Sequence, residues 1–265
     1  MVDDTRITQH FRSDEIGFIE QVQGWIRQAN DEYRPILTHF LNPRERLIAT
    51  SLVNREDELK YATNGGFANA EMQRMLIYPS YHVVEIADFE LQALQIVYPV
   101  KFAEIKHHQI LGTLANQGIE RNVFGDIVGN DDIWQFVVEK KMVDFFNLQI
   151  DHIGKIKVHL TPIELAAVNQ PTDDWEAMTT TVASLRLDTV ISTCFNFSRS
   201  RIKEHIESGN VRVNWRELNK PDYELAVSDV VSVRGFGRLQ ITEVNGLTKK
   251  DKIKITVAII QNKKK

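Results

Sequence analysis

Cysteine occurs once in these 265 residues, at Cys194. A single thiol excludes an internal disulfide and any zinc site assembled from several cysteines. Long apolar runs are missing too: nothing approaches the roughly 18 residues that mark a membrane-spanning helix. The first residues, Met1 to Asp14, are polar and charged and lack the apolar core of a secretory signal. There is no Gly-rich loop with a Walker lysine and no Ser/His/Asp set around a nucleophile elbow. Low complexity is confined to the tail Lys263-Lys264-Lys265. From these absences we expect a cytoplasmic chain with no membrane span, no metal and no cofactor.

What is present suffices for a folded core. Apolar residues make up 43% of a chain whose length suits two or three domains. Charge is divided unevenly. The net value is −4, yet residues 180–265 carry 16 Lys+Arg against 9 Asp+Glu, which leaves −11 on residues 1–179. A cationic C-terminal piece on an acidic remainder is the asymmetry expected of a nucleic-acid-binding module on a carrier. A solubilising tail is the plainer alternative, although the piece stays cationic without its last three lysines. The acidic half suits a protein partner better than phosphate.

Residues 1–77 read as a helical region. Phe18, Ile19, Val22 and Ile26 recur at helical spacing behind a candidate cap at Ser13. Asn42-Pro43 marks a second helix start, with Asn42 capping and Pro43 at the first helical position. After the Asn64-Gly65-Gly66 turn a further short helix is expected over Asn69–Met75. Residues 78–162 change pattern. β-rich segments fall at His82–Ile86, Ala93–Val100, Phe124–Val128, Ile133–Val138 and Ile156–Leu160, with helices at Glu104–Gln117 and Lys141–Ile150. After the leading segment this is a β-α-β-β-α-β order, the ferredoxin-like arrangement.

Residues 163–180 read as a linker, with a loop at Pro171-Thr172-Asp173-Asp174. In residues 181–265, Leu187, Val190, Ile191 and Cys194 share one helix face, and Ile202 and Ile206 lie one turn apart on a second helix. From Val211 the apolar period becomes two. The expected fold class is α+β: an N-terminal helical segment, a ferredoxin-like middle domain, and a C-terminal domain of two helices and then strands.

The C-terminal domain carries the candidate site. Ser198 caps its second helix, and the free N–H groups of a helix start favour an anion. Arg199 and Ser200 lie in that first turn, Lys203 follows one turn later on the same face as Arg199, and Arg201 points toward a second phosphate. Arg212 and Asn214 project from the strand face opposite Val211 and Val213. Arg234 and Arg238 flank Gly235-Phe236-Gly237, where glycine lets a backbone approach and Phe236 can stack on a base. Arg186 stands before the first helix, and Asp188 caps locally or pairs with an arginine such as Arg186 rather than acting as a catalytic acid. Taken singly, each arginine also fits a solvated basic face.

Read in order, Arg186-Leu187-Asp188, Ser198-Arg199-Ser200, Gly209-x-Val211-x-Val213-Asn214 and Asp229-x-Val231-x-Val233-Arg234-Gly235 resemble the S4 RNA-binding domain. Phe40-Leu41-Asn42-Pro43-Arg44-Glu45, Gly65-Gly66-Phe67 with Asn69-Ala70-Glu71, Phe124-Gly125-Asp126-Ile127 and Val213-Asn214-Trp215 extend the resemblance to the YlmH family over nearly the whole chain. It implies an N-terminal α/β region followed by an S4 domain. It also implies structured RNA as partner, namely large-subunit rRNA and tRNA, with a part in rescuing stalled translation and a link to cell division. Many S4 domains have glycine where Trp215 stands. Trp215 and Arg216 give a bulkier, more cationic hairpin, which alters which RNA fits. The expected function is non-enzymatic RNA binding at the ribosome. The alternatives are an RNA-modifying enzyme targeted by its S4 domain, and a division scaffold with secondary RNA binding.

Other candidates are ambiguous or read as structural. His107-His108 point about 100° apart on a helix and cannot chelate one metal as an i, i+4 pair can. Asp131-Asp132 suits a hairpin turn, and Cys194 falls on an apolar helix face. His152-Ile153-Gly154-Lys155 echoes a synthetase signature without its final histidine. Asp126 reads as a site residue or as a strand residue beside a turn. Trp134 and Phe136 are either an RNA-stacking face or core beneath the helices. If the arginines grip phosphate, Arg199→Ala weakens binding to many RNA sequences and lowers the salt slope by about one. A filter-binding titration against salt that shows unchanged affinity and slope refutes that role.

Overall fold

The computed structural model describes residues 11–130, 132–171 and 175–261. Asp131, the Thr172-Asp173-Asp174 part of the expected loop and the Lys263–Lys265 tail lie outside the described residues. The chain divides into two compact units, 1–171 and 172–265. In the first, helix α1 (Ile16–Glu32) buries Ile19, Val22, Ile26 and Ala29, the stripe that the spacing predicts. The turn leading into it is capped from Arg12 rather than Ser13: the Arg12 backbone N–H donates to the Glu15 carboxylate at 3.0 Å. Strand β1 (Ile36–Leu41) precedes helix α2 (Pro43–Val53). Here Asn42 caps as expected, its side-chain oxygen accepting the backbone N–H groups of Arg44 at 2.9 Å and Glu45 at 3.0 Å.

Residues 1–77 are nevertheless not helical throughout. Strands β2 (Leu59–Asn64) and β3 (Gln73–Pro79) join β1 in an antiparallel sheet of order β1-β3-β2. The helix expected over Asn69–Met75 is instead the approach to β3. As the central strand, β3 buries Met75, Leu76 and Ile77 in succession, so the alternation that marks a strand in sequence is missing. The strand expected at His82–Ile86 is absent. That stretch pairs with no strand among the described residues, and Val83 and Ile86 are 79% and 70% exposed.

The middle region follows the predicted order. It runs β4 (Leu91–Val97), α3 (His107–Ala115), β5 (Phe124–Asn130), β6 (Ile133–Glu139) and α4 (Val143–Gln149). A small hairpin of β7 (His152–Ile153) and β8 (Ile156–Lys157) then leads to β9 (His159–Ile163). The sheet is antiparallel with order β5-β6-β4-β9, the ferredoxin-like topology. One face packs Leu94, Ile96, Phe124, Phe136 and Val138 on the helices, where they meet Phe146 of α4. Phe146 lies at its centre, edge-on to Phe124, Phe136 and Phe145 at 6.2, 5.8 and 5.7 Å.

The other face of this sheet is closed as well. Gln135 and Val137 are 3% and 0% exposed. The Asn169 backbone N–H donates to the Gln135 side-chain oxygen at 2.8 Å. Gly66 backs onto Val137 so closely that an added Cβ would lie 2.9 Å from it. Arg74 of β3, itself buried, donates to the carbonyls of Thr38 and Phe89 and lies 4.0 Å from the Glu139 carboxylate of β6. It thereby ties the N-terminal sheet to the middle one.

The linker expected over 163–180 contains the division between the two units, at 171/172, and is structured at both ends. β9 ends at Ile163, and Glu176–Val182 forms strand β10. The threonine run 179–181 has the β-branched character of a strand, and β10 pairs with the last strand from Glu176–Ile259 to Val182–Ile253. The second unit then adds α5 (Leu187–Phe195) and α6 (Arg199–Glu207). Its remaining strands are β11 (Val211–Val213), β12 (Arg216–Glu217), β13 (Val230–Val233), β14 (Gly237–Leu247) and β15 (Ile253–Gln261). The sheet order is β10-β15-β14-β13-β11-β12. Leu187, Val190, Ile191, Ile202 and Ile206 meet the inward strand positions in one core. For the middle region, Phe146→Ala should cost about 3–5 kcal/mol in urea unfolding. A loss below about 1 kcal/mol would show that the ring is not central to that core.

Candidate RNA interface

The start of α5 and the start of α6 meet at one carboxylate. Asp188, 4% exposed, accepts hydrogen bonds from Arg186 Nε at 3.2 Å, Arg186 Nη2 at 3.3 Å, Arg199 Nη2 at 2.8 Å and Thr189 Oγ1 at 3.1 Å. Burial alone would raise its pKa; the bonds from Arg186, Arg199 and Thr189 outweigh that and hold it below the usual aspartate range. The side chains of both arginines remain 42% and 58% exposed. They are therefore oriented from below and open to solvent above. Ser198 caps α6, its hydroxyl accepting from the Arg201 backbone N–H at 3.4 Å, and Ser200 lies beside it at 3.3 Å.

Arg201 lies on aromatic rings, 4.5 Å from the Phe197 centroid and 5.4 Å from that of Phe236. Phe236 does not stand open for a base. Its ring meets Phe197 at 4.5 Å and His205 at 4.9 Å, both edge-on, so it packs the β13–β14 turn against the α5–α6 connection. In that turn Gly237, at φ +141°, leaves no room for a side chain beside the Ile260 carbonyl. Asn214 also departs from the expected outward position. Its amide donates to Asp229 at 2.8 Å and its oxygen accepts the Val230 N–H at 2.9 Å, so both ends are used within the hairpin.

Asn214 and Trp215 have φ of +50° and +65°, the two left-handed positions of a tight β11–β12 hairpin that favour Asn-Gly. Trp215 thus holds a position where glycine is unstrained and a bulky side chain is not. The Arg238 guanidinium lies 5.9 Å from the Trp215 ring and 5.5 Å from that of Trp175. Trp175 escapes sequence reasoning because it follows an acidic loop in a presumed linker. Lys203 pairs with Glu207 at 3.7 Å. Arg212, Arg216 and Arg234 are exposed and have no carboxylate partner among the described residues. Lys249, Lys250 and Lys252, at the β14–β15 turn, add exposed charge that only their clustering in sequence could have signalled.

Three of the sequence candidates outside this edge, Asp126, Phe136 and Trp134, are committed to structure. The Asp126 carboxylate accepts the backbone N–H groups of Glu71 at 2.6 Å and Met72 at 3.2 Å. Burial and the Glu71 carboxylate push its pKa up to about 6, against the pull of those N–H groups and of Arg121. Phe136 is fully buried and Trp134 packs on the same core. Burial pushes the Cys194 thiol up to about 12, so it is no thiolate near neutral pH. Among the described residues, no group of three or more His, Cys, Asp or Glu is placed to hold a metal, and no helix is long and apolar enough to cross a membrane.

Two helices on a mixed-length antiparallel sheet, with a basic edge where the helices begin, define an RNA-binding protein of the S4-domain class. The S4 domain model matches residues 185–231, the "YlmH, N-terminal" model residues 14–82, and the "Putative RNA-binding domain in YlmH" model residues 85–167. The chain is 40% identical over 250 residues to the "Ribosome-associated protein quality control protein P2" of Bacillus subtilis (strain 168), covering 94% of this chain and 97% of that one. It also resembles the solved structure of "Cell division protein ylmH from Streptococcus pneumoniae", with TM-score 0.52 and 34% identity over 59% of this chain and 95% of that one. The chain belongs to the YlmH family.

The Asp188 clamp has a measurable signature. Its stabilisation is present above the ordinary aspartate pKa of ~3.9 and is lost as pH falls through the lowered native value. Asp188→Asn should cost about 1–3 kcal/mol at neutral pH in urea unfolding. The gap to the parent should close as the solution is acidified. A gap independent of pH would show that the charge on Asp188 is not what holds the two arginines.

Proposed function

We propose that this chain is a non-enzymatic RNA-binding protein that works on the ribosome and grips structured RNA with the basic edge of its S4 domain. The observation that carries the reading is the Asp188 clamp. It orients Arg186 and Arg199 in a unit that also bears exposed Arg201, Arg212, Arg216 and Arg234, the last three free of carboxylate partners among the described residues. Phosphate contacts from such side chains position a protein on RNA and make binding salt-dependent. The ribosomal setting is supported by the name of the Bacillus subtilis relative. The targets we infer are large-subunit rRNA and tRNA, bound during rescue of stalled translation. The absence of catalysis is supported by the structural commitments of Asp126, Asp188 and Cys194.

A second reading, a scaffold for division proteins, is favoured by the name of the Streptococcus pneumoniae relative and by the acidic charge of residues 1–179. Crosslinking in cells followed by sequencing separates the two. Recovery of one large-subunit rRNA helix together with tRNA supports the first, recovery of no RNA sinks it, and protein capture that survives ribonuclease supports the second. In vitro, Arg212→Ala and Arg234→Ala remove exposed charge without breaking an internal ion pair. Each should lower the slope of log affinity against log salt by roughly 0.7–0.9 per phosphate lost. Loss for one RNA sequence alone would point to base reading instead.

A further inference from the structure

The first unit carries a second cationic cluster, at one end of the ferredoxin-like sheet. The loop after β4 brings Lys101, Phe102 and Lys106, the β7–β8 hairpin brings Lys155 and Lys157, and β9 opens with His159. Register puts them together. Val97, the last residue of β4, pairs with His159, and His152 pairs with Lys157. The hairpin tip at Gly154 backs onto Gln109 of α3. Ile105, Ile153 and Val158 anchor all three segments in the common core, which turns their polar residues to solvent.

Phe102 is 90% exposed, the most exposed of the large apolar side chains described. His107, His108, His152 and His159 belong to the same segments and are exposed too, so this end holds four of the eight histidines. Its acids are largely taken: Glu104 pairs with Lys106 at 3.7 Å and Asp151 with His152 at 3.0 Å. Lys101 and Lys155 are exposed with no carboxylate partner among the described residues, and Lys157 is exposed beside Asp151, whose pKa it helps to hold down. In a half of the chain with net charge −11, this end is the exception.

An exposed ring near exposed lysines is what single-stranded RNA engages, phosphates on the cations and an unstacked base on the ring. The sheet face that a ferredoxin-like RNA binder would offer is closed by the Gly66 and Asn169 loops, so contact is left to the ends. We propose that this end of the middle domain is a second RNA-binding surface. It takes an unpaired stretch of RNA, with Phe102 stacked on a base and Lys101, Lys155 and Lys157 on phosphates. The proposal rests on the reading that the chain binds RNA, but it uses none of the S4 arginines. Two linked contacts of this kind raise the affinity for one RNA beyond that of either alone.

The test uses the full chain as parent, Phe102→Ala, Lys155→Ala with Lys157→Ala, and Arg212→Ala with Arg234→Ala. The probes are fluorescein-labelled oligouridylate and ribosomal RNA, titrated over a salt series, with ultraviolet crosslinks mapped by mass spectrometry. All substituted residues are exposed, and unchanged thermal melting checks that each variant folds. The lysine pair should lower the salt slope for oligouridylate by about 1.4, two single-strand phosphates. Phe102→Ala should weaken binding about tenfold with little change in slope. Crosslinks should map to Phe102 and persist in the arginine variant. The proposal is overturned if only the arginine variant loses binding and crosslinks, or if the parent binds ribosomal RNA but not oligouridylate. It is equally overturned if the lysines and Phe102 instead capture a protein in the presence of ribonuclease. If the parent binds neither probe, the RNA reading itself fails.

Discussion

A carboxylate with 4% exposure keeps its charge only where cations compensate its lost hydration, and Asp188 takes two of them. One comes from the residue before α5 and the other from the first turn of α6. The clamp therefore sets how the two helix starts approach each other and which way their guanidinium groups face. The basic edge is an outcome of that demand: its best-ordered arginines are structural on their inner side and available on their outer side. Removing either leaves the carboxylate half-satisfied, so Arg199 serves the fold as well as the proposed interface. Arg212, Arg216 and Arg234 carry no such double duty.

The aromatic residues of the same unit obey a related constraint. Phe236 is consumed by packing against Phe197 and His205 and gives its face to Arg201. Trp175 and Trp215 do the same for Arg238. Cations seated on rings lose freedom while staying charged, which lowers the entropy cost of docking a phosphate. In the first unit the logic runs the other way. Both faces of the ferredoxin-like sheet are buried, so its loops and hairpins carry what is left to meet a partner.

Elements with a complete local signal were legible. Asn42-Pro43 and Ser198 announce helix starts through their caps, and Ile19, Val22 and Ile26 trace a helical stripe. The middle region's strand and helix order emerged because its edge and central strands are separated by distinct turns. Elements whose signal depends on neighbours were not legible. β3 is apolar in succession because both of its faces are buried, and β10 is polar and threonine-rich because it lies at a sheet edge. The segment 82–86 has β-branched composition but no strand partner among the described residues.

The candidate site divides the same way. Its residue types, their order and the charge asymmetry between the two halves are properties of the chain alone, because charge and periodicity are local. Which of those residues remain free is a property of the fold. Asn214 and Phe236 turned inward because a hairpin amide and a half-buried ring need partners nearby. Trp175 joined from 63 residues away in sequence, since strand pairing brings it beside Arg238. Long-range contacts of that kind leave no trace in local spacing, so which side chains face solvent is settled only when the chain closes on itself.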